Sequence, residues 1–111
     1  MQRSFHYIVT DVSGTGFNFE YRLVGSVSGG KLYWMVISNG SLVLSIDDIR
    51  TGLSGICSSS FIQNDGIFNK PIECSLSLNT DYEFWIVLDS SANGVSGNMY
   101  KLDLNTCKFT C

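Results

Sequence analysis

Phe17-Asn18-Phe19-Glu20-Tyr21-Arg22-Leu23 places a large apolar side chain at every second position and a polar one between each pair. Side chains along a β-strand point alternately to opposite faces, so this stretch has one apolar and one polar face when extended. That is the pattern of a half-buried antiparallel strand. Upstream, Phe5, Tyr7 and Val9 form a similar row, with His6 and Thr10 on the other side. Downstream, Lys31–Ser38 and Tyr82–Asp89 are more continuously apolar and read as central strands covered on both faces. Met99–Asn105 alternates again, Leu102 and Leu104 against Lys101, Asp103 and Asn105.

Turn signals separate these runs: Ser13-Gly14-Thr15-Gly16, Ser28-Gly29-Gly30, Asn39-Gly40, Asn64-Asp65-Gly66, Asn93-Gly94 and Ser96-Gly97-Asn98. Asn-Gly and Gly-Gly supply the positive φ angles that tight turns need. Their spacing suits a sandwich or barrel rather than βαβ units. Ser45 to Gly52 predicts one short helix, with Ser45 as cap, Asp47 and Asp48 at its positive end and Gly52 closing it. An irregular crossover is the alternative. The 111 residues are expected to form a single domain, 1–111, cut from a longer protein or filament.

Hydrophobic residues make up 44% of the chain and charged ones only 15%. Ser, Gly, Asn and Thr fill the polar positions, a mix suited to strands and turns. The net charge is −3 and no Lys/Arg run occurs, which argues against binding nucleic acid through its phosphates. No apolar run approaches a membrane span, and the first residues lack the apolar stretch of a signal peptide.

Four cysteines, Cys57, Cys74, Cys107 and Cys111, fit disulfides and hence an oxidising, extracellular or cell-surface setting. Free thiols remain open, and zinc is the weakest reading, because no CxxC pair exists and His6 is distant. Cys57 is expected to bond Cys74 across the stretch that follows the helix. Cys107 would then pair with Cys111 across a terminal turn, or Cys111 would join a residue elsewhere.

Leu76-Ser77-Leu78-Asn79-Thr80-Asp81-Tyr82-Glu83-Phe84 resembles the fibronectin type III signature Leu-x-Pro-Gly-Thr-x-Tyr-x-Val/Phe. Leu76, Thr80, Tyr82 and Phe84 match; Leu78 and Asn79 stand where Pro and Gly are usual. Asn can still take the left-handed conformation that Gly would supply. Gly30–Ile37, the Ser45–Gly52 turn and the loop from Asp89 to Gly94 also resemble that family in their order. The resemblance implies an all-β, seven-stranded Greek-key sandwich, immunoglobulin-like or fibronectin type III-like, with one short helical turn. It implies that Tyr82 is a corner tyrosine whose hydroxyl bonds to backbone a few residues upstream. The family's core Trp on the second strand is absent, and Phe19 or Tyr21 would fill that space.

Candidate chemistry is sparse. His6 is the sole histidine, and no Gly-x-Ser-x-Gly nucleophile motif or P-loop is present. The expectation is therefore no enzyme, no metal and no cofactor. Asp47, Asp48, Asp65 and Asp89 could in principle ligate calcium, but capping and turns explain them better. Asn39-Gly40-Ser41 matches the N-glycosylation pattern and equally a hairpin turn. If Tyr33 and Met35 face the core, with Tyr82, Phe84 and Ile86, then Trp34 and Trp85 both point outward on one sheet. They would form a stripe able to bind carbohydrate or peptide, unless a loop or neighbouring domain covers them. The resulting expectation is a structural or adhesive module of a surface protein or filament, its partners being neighbouring domains or subunits. A carbohydrate- or peptide-binding accessory using Trp34 and Trp85 is the alternative.

Overall fold

The computed structural model describes residues 3–40, 45–53, 55–92 and 96–106. Among them seven strands and one helix run in the order β1 (Ser4–Ser13), β2 (Gly16–Val24), β3 (Lys31–Ser38), α1 (Ile46–Thr51), β4 (Cys57–Ile62), β5 (Gly66–Glu73), β6 (Asp81–Asp89) and β7 (Gly97–Asn105). They make two antiparallel sheets, β1-β2-β5 and β4-β3-β6-β7. The chain changes sheet between β2 and β3, between β4 and β5 and between β5 and β6, which is a Greek-key sandwich.

The alternating stretch of β2 supplies Phe17, Phe19, Tyr21 and Leu23 to the core, all buried. They meet Leu32, Trp34 and Val36 of β3 and Tyr82, Phe84, Ile86 and Leu88 of β6. Phe84 lies at the centre, its ring edge-on to both Phe17 and Phe19 at 5.0 Å. Burying each such side chain contributes roughly 1.5–3 kcal/mol, so this face is the principal stabilising element.

The opposite face of β3 and β6 is also covered, as their continuous apolar sequence requires. Met35, Ile37 and Val87 form a second, smaller core under Ile49 of α1. The helix forms because Ser45 and Asp48 make a capping box and Gly52, at φ 74°, closes it. Gly52 sits so close over Ser58 that an added Cβ would meet its Oγ at 2.4 Å.

Among the described residues Asn39-Gly40 is a turn after β3, and β3 and β4 are antiparallel neighbours with α1 between them in sequence. β5 ends at Glu73. The stretch beyond β5 is still tied by backbone bonds, Cys74 N–H to Thr15 O at 3.0 Å and Leu76 N–H to Gly14 O at 2.9 Å.

The two open sides of the sandwich are closed differently. Beside β1 and β7, Phe5 stacks on Tyr7, and Tyr100 meets both rings at steep angles. Beside β4 and β5, a disulfide joins Cys57 to Cys74 and so links one sheet to the other, as the sequence predicted. On the same side Lys70 lies across from Phe19 on the inner face of β5, with its ammonium 5.0 Å from the ring centre of Phe61 and 5.4 Å from that of Phe68. Its stem covers apolar surface while its charge stays near water. Cys107 and Cys111 lie outside the described residues, as does the Asn93-Gly94 turn.

Candidate functional site

Trp34 and Trp85 stand on opposite faces of one sheet. Register sets Trp34 beside Ile86 and Met35 beside Trp85, so the row containing Trp34, not the row containing Tyr33 and Met35, faces the core. Trp34 is 5% exposed and packs on Phe84 with ring centres 6.0 Å apart. The expected outward stripe of two tryptophans is therefore not formed. Sequence alone does not set this facing, because both faces of β3 are apolar and alternation then carries no directional signal.

Trp85 does lie on the outer face, as expected, but it belongs to the small core under α1 and is half-buried there. Its indole N–H donates to Glu83 Oε1 at 2.9 Å. The other carboxylate oxygen of the buried Glu83 accepts from the Gly40 amide at 3.3 Å. The polar edge of Trp85 is thus engaged within the domain.

A polar cluster sits where β3 begins and β6 ends. Asp89, 3% exposed, accepts from Arg50 Nη2 at 2.8 Å and Nε at 3.1 Å through one oxygen, and from the Lys31 amide at 3.3 Å through the other. Arg50 thereby pins α1 to the end of β6, and it reaches Ser96 O at 3.0 Å as well. Gln63 is the second hub. Its Oε1 accepts from Arg3 and from the Val27 amide, each at 2.9 Å. Its Nε2 donates to Lys31 O at 3.0 Å and Asp89 O at 2.9 Å. A buried side-chain amide satisfied this fully holds loops in place. Nothing in the local sequence marks Gln63; only the convergence of distant loops does.

The four aspartates considered as calcium ligands are each engaged within the fold. Asp47 and Asp89 pair with Arg50, Asp48 caps α1, and Asp65 accepts from the Ser26 amide at 2.8 Å. Among the described residues no three His, Cys, Asp or Glu side chains gather as a metal-binding group. Hydrogen bonds from the backbone and then the side chain of Ser26 hold the Asp65 carboxyl below its ordinary 3.8. His6 lies on the exposed face of β1, across from Arg22, in a shallow apolar depression of about 180 Å³ with Ile8 and Ile67. Asn39 is exposed at the end of β3, while Ser41 of its motif lies outside the described residues.

Tyr82 is the second residue of β6. Its buried ring belongs to the main core, and its hydroxyl oxygen accepts the Ser77 amide hydrogen at 2.7 Å. The partner is thus an N–H five residues upstream. Asn79 takes φ 53°, the left-handed conformation expected of it.

Among the described residues no helix is long and apolar enough to cross a membrane. No family model, curated protein or solved structure matches the chain.

Proposed function

We propose that the chain is a non-catalytic, fibronectin type III-like module of an extracellular protein, acting by spacing and joining neighbouring domains. The observation that carries this reading is the placement of the two ends of the described chain. Arg3 is bonded beside Asp89 at one end of β6, and Thr106 is bonded to Thr80 beside the other end. Nine residues of strand at about 3.4 Å each separate these anchors. Arg3 and Thr106 thus lie near opposite poles of the sandwich, an arrangement that suits a spacer. The Cys57–Cys74 bond supports an oxidising compartment, and the tyrosine corner with its left-handed Asn79 supports the family reading.

Protease shaving of intact cells that carry the parent chain tests this. Peptides of the domain, including the cross-linked Cys57–Cys74 pair, are expected in the released fraction. Their retention inside the cell with both thiols reduced overturns the extracellular assignment. Turnover in a broad hydrolase screen that disappears with His6→Ala overturns the non-catalytic one.

A further inference from the structure

We propose that Asn39-Gly40 is a self-modifying site, at which the buried carboxylate of Glu83 is the base that converts Asn39 to aspartate and isoaspartate. The side-chain amide carbon of any asparagine lies within ring-closing reach of the next residue's nitrogen, since the two close a five-membered ring. Attack requires that nitrogen to lose its proton, and a group placed to take the proton accelerates the step. Here that group is in place. Glu83 is 9% exposed, its Oε2 accepts the Gly40 N–H at 3.3 Å, and its Oε1 is fixed by the Trp85 indole N–H at 2.9 Å. The sheet holds the arrangement: Ile37 of β3 pairs with Glu83 of β6, and just past the end of β3 the Asn39 N–H donates to Asp81 O at 3.3 Å.

The other requirements meet at the same two residues. Asn39 is exposed, so water reaches its side chain. Gly40 has φ 79°, and a Cβ added there would meet nothing within 4 Å. Lacking a side chain, it leaves its nitrogen open to the neighbouring amide carbon. The other described asparagines are each followed by a residue whose side chain crowds that nitrogen. In the first step the Gly40 nitrogen bonds to Cγ of Asn39 while its proton passes to Glu83 Oε2. Glu83 then returns the proton to the side-chain nitrogen, the Cγ–N bond breaks and ammonia leaves. Glu83 ends unchanged, and a cyclic imide joins residues 39 and 40. Water opens the imide at one carbonyl or the other, giving aspartate or isoaspartate; nothing is oxidised or reduced. The product carries a new carboxylate near Glu83, and position 39 can no longer accept a glycan. Isoaspartate also lengthens the backbone by one carbon at the exit from β3.

Timed incubation of the whole chain at neutral pH, made in a bacterial host so that Asn39 carries no glycan, tests this. Peptide mapping reads the fraction of residue 39 converted to aspartate and isoaspartate. The folded protein is expected to convert Asn39 faster than the same chain unfolded in urea. Glu83→Gln keeps a hydrogen-bond acceptor and removes the base. It should slow conversion in the folded protein about tenfold or more and leave the rate in urea unchanged. Gly40→Ala should slow both. A Glu83→Gln chain that fails to fold converts at the urea rate, which the folded wild type should still exceed. Conversion of Asn39 that is slower in the folded wild type than in urea overturns the proposal. So does a folded Glu83→Gln protein that converts Asn39 as fast as the wild type.

Discussion

The hydroxyl oxygen of Tyr82 accepts the amide hydrogen of Ser77 at 2.7 Å, closing the corner between β5 and β6 from within the core. Tyr82→Phe keeps the ring and removes only that acceptor. Because Ser77 is itself exposed, water can reach its amide. The expected loss is at the low end for a hydrogen bond, about 1 kcal/mol. Equilibrium denaturation of the two proteins measures it, and a midpoint unchanged within error removes the corner role.

Trp34 and Trp85 should respond unequally to the same substitution. Trp34→Ser empties a fully packed core position and should cost about 3–5 kcal/mol. The Trp34 indole N–H is buried without a partner among the described residues, so Trp34→Phe should cost clearly less. Trp85→Ser removes a half-buried ring and one donor to Glu83, for about 1–2 kcal/mol. Equal losses from the two serine variants in urea titrations would contradict the opposite facings.

Reducing the Cys57–Cys74 bond should destabilise the domain without unfolding its β2, β3 and β6 core. The bond closes a loop with a sequence separation of 17 residues, for which release of the unfolded chain corresponds to about 3 kcal/mol. Thermal unfolding with and without reductant, and of the Cys57→Ala, Cys74→Ala double variant, provides the comparison. Loss of native near-UV signal in the reduced protein at room temperature would show that the bond does more than restrict the unfolded state.

Asp65 should contribute to acid sensitivity. Its folded carboxyl titrates below the ordinary 3.8 because it accepts the Ser26 amide hydrogen. The unfolded chain therefore takes up its proton first as pH falls. The stabilising contribution is present above pH 3.8 and is lost as pH drops through the lower folded value. Asp65→Asn should flatten this part of the melting-temperature profile below pH 4, while leaving its shape near neutrality unchanged. An NMR titration placing the Asp65 carboxyl at or above 3.8 would contradict it.

The sequence by itself determined the all-β class, the inward face of β2, the places of β1, β3, β6 and β7, the capped helix and the Cys57–Cys74 partnership. Each of these rests on a local signal: strict alternation, a cap residue, or a loop short enough to close. β4 and β5 were not legible as strands. Ser58, Ser59 and Ser60 occur in succession in β4, and β5 turns Lys70 inward while leaving Ile67 80% exposed. Edge positions tolerate such inversions because one side of the strand meets water, so hydrophobicity no longer reports facing. Tertiary structure alone decided which face of β3 is inner, since both are apolar and the choice depends on α1 covering one of them. It alone made Gln63 a hub, because the groups it joins, Arg3, Val27, Lys31 and Asp89, are brought together only when the two sheets pack.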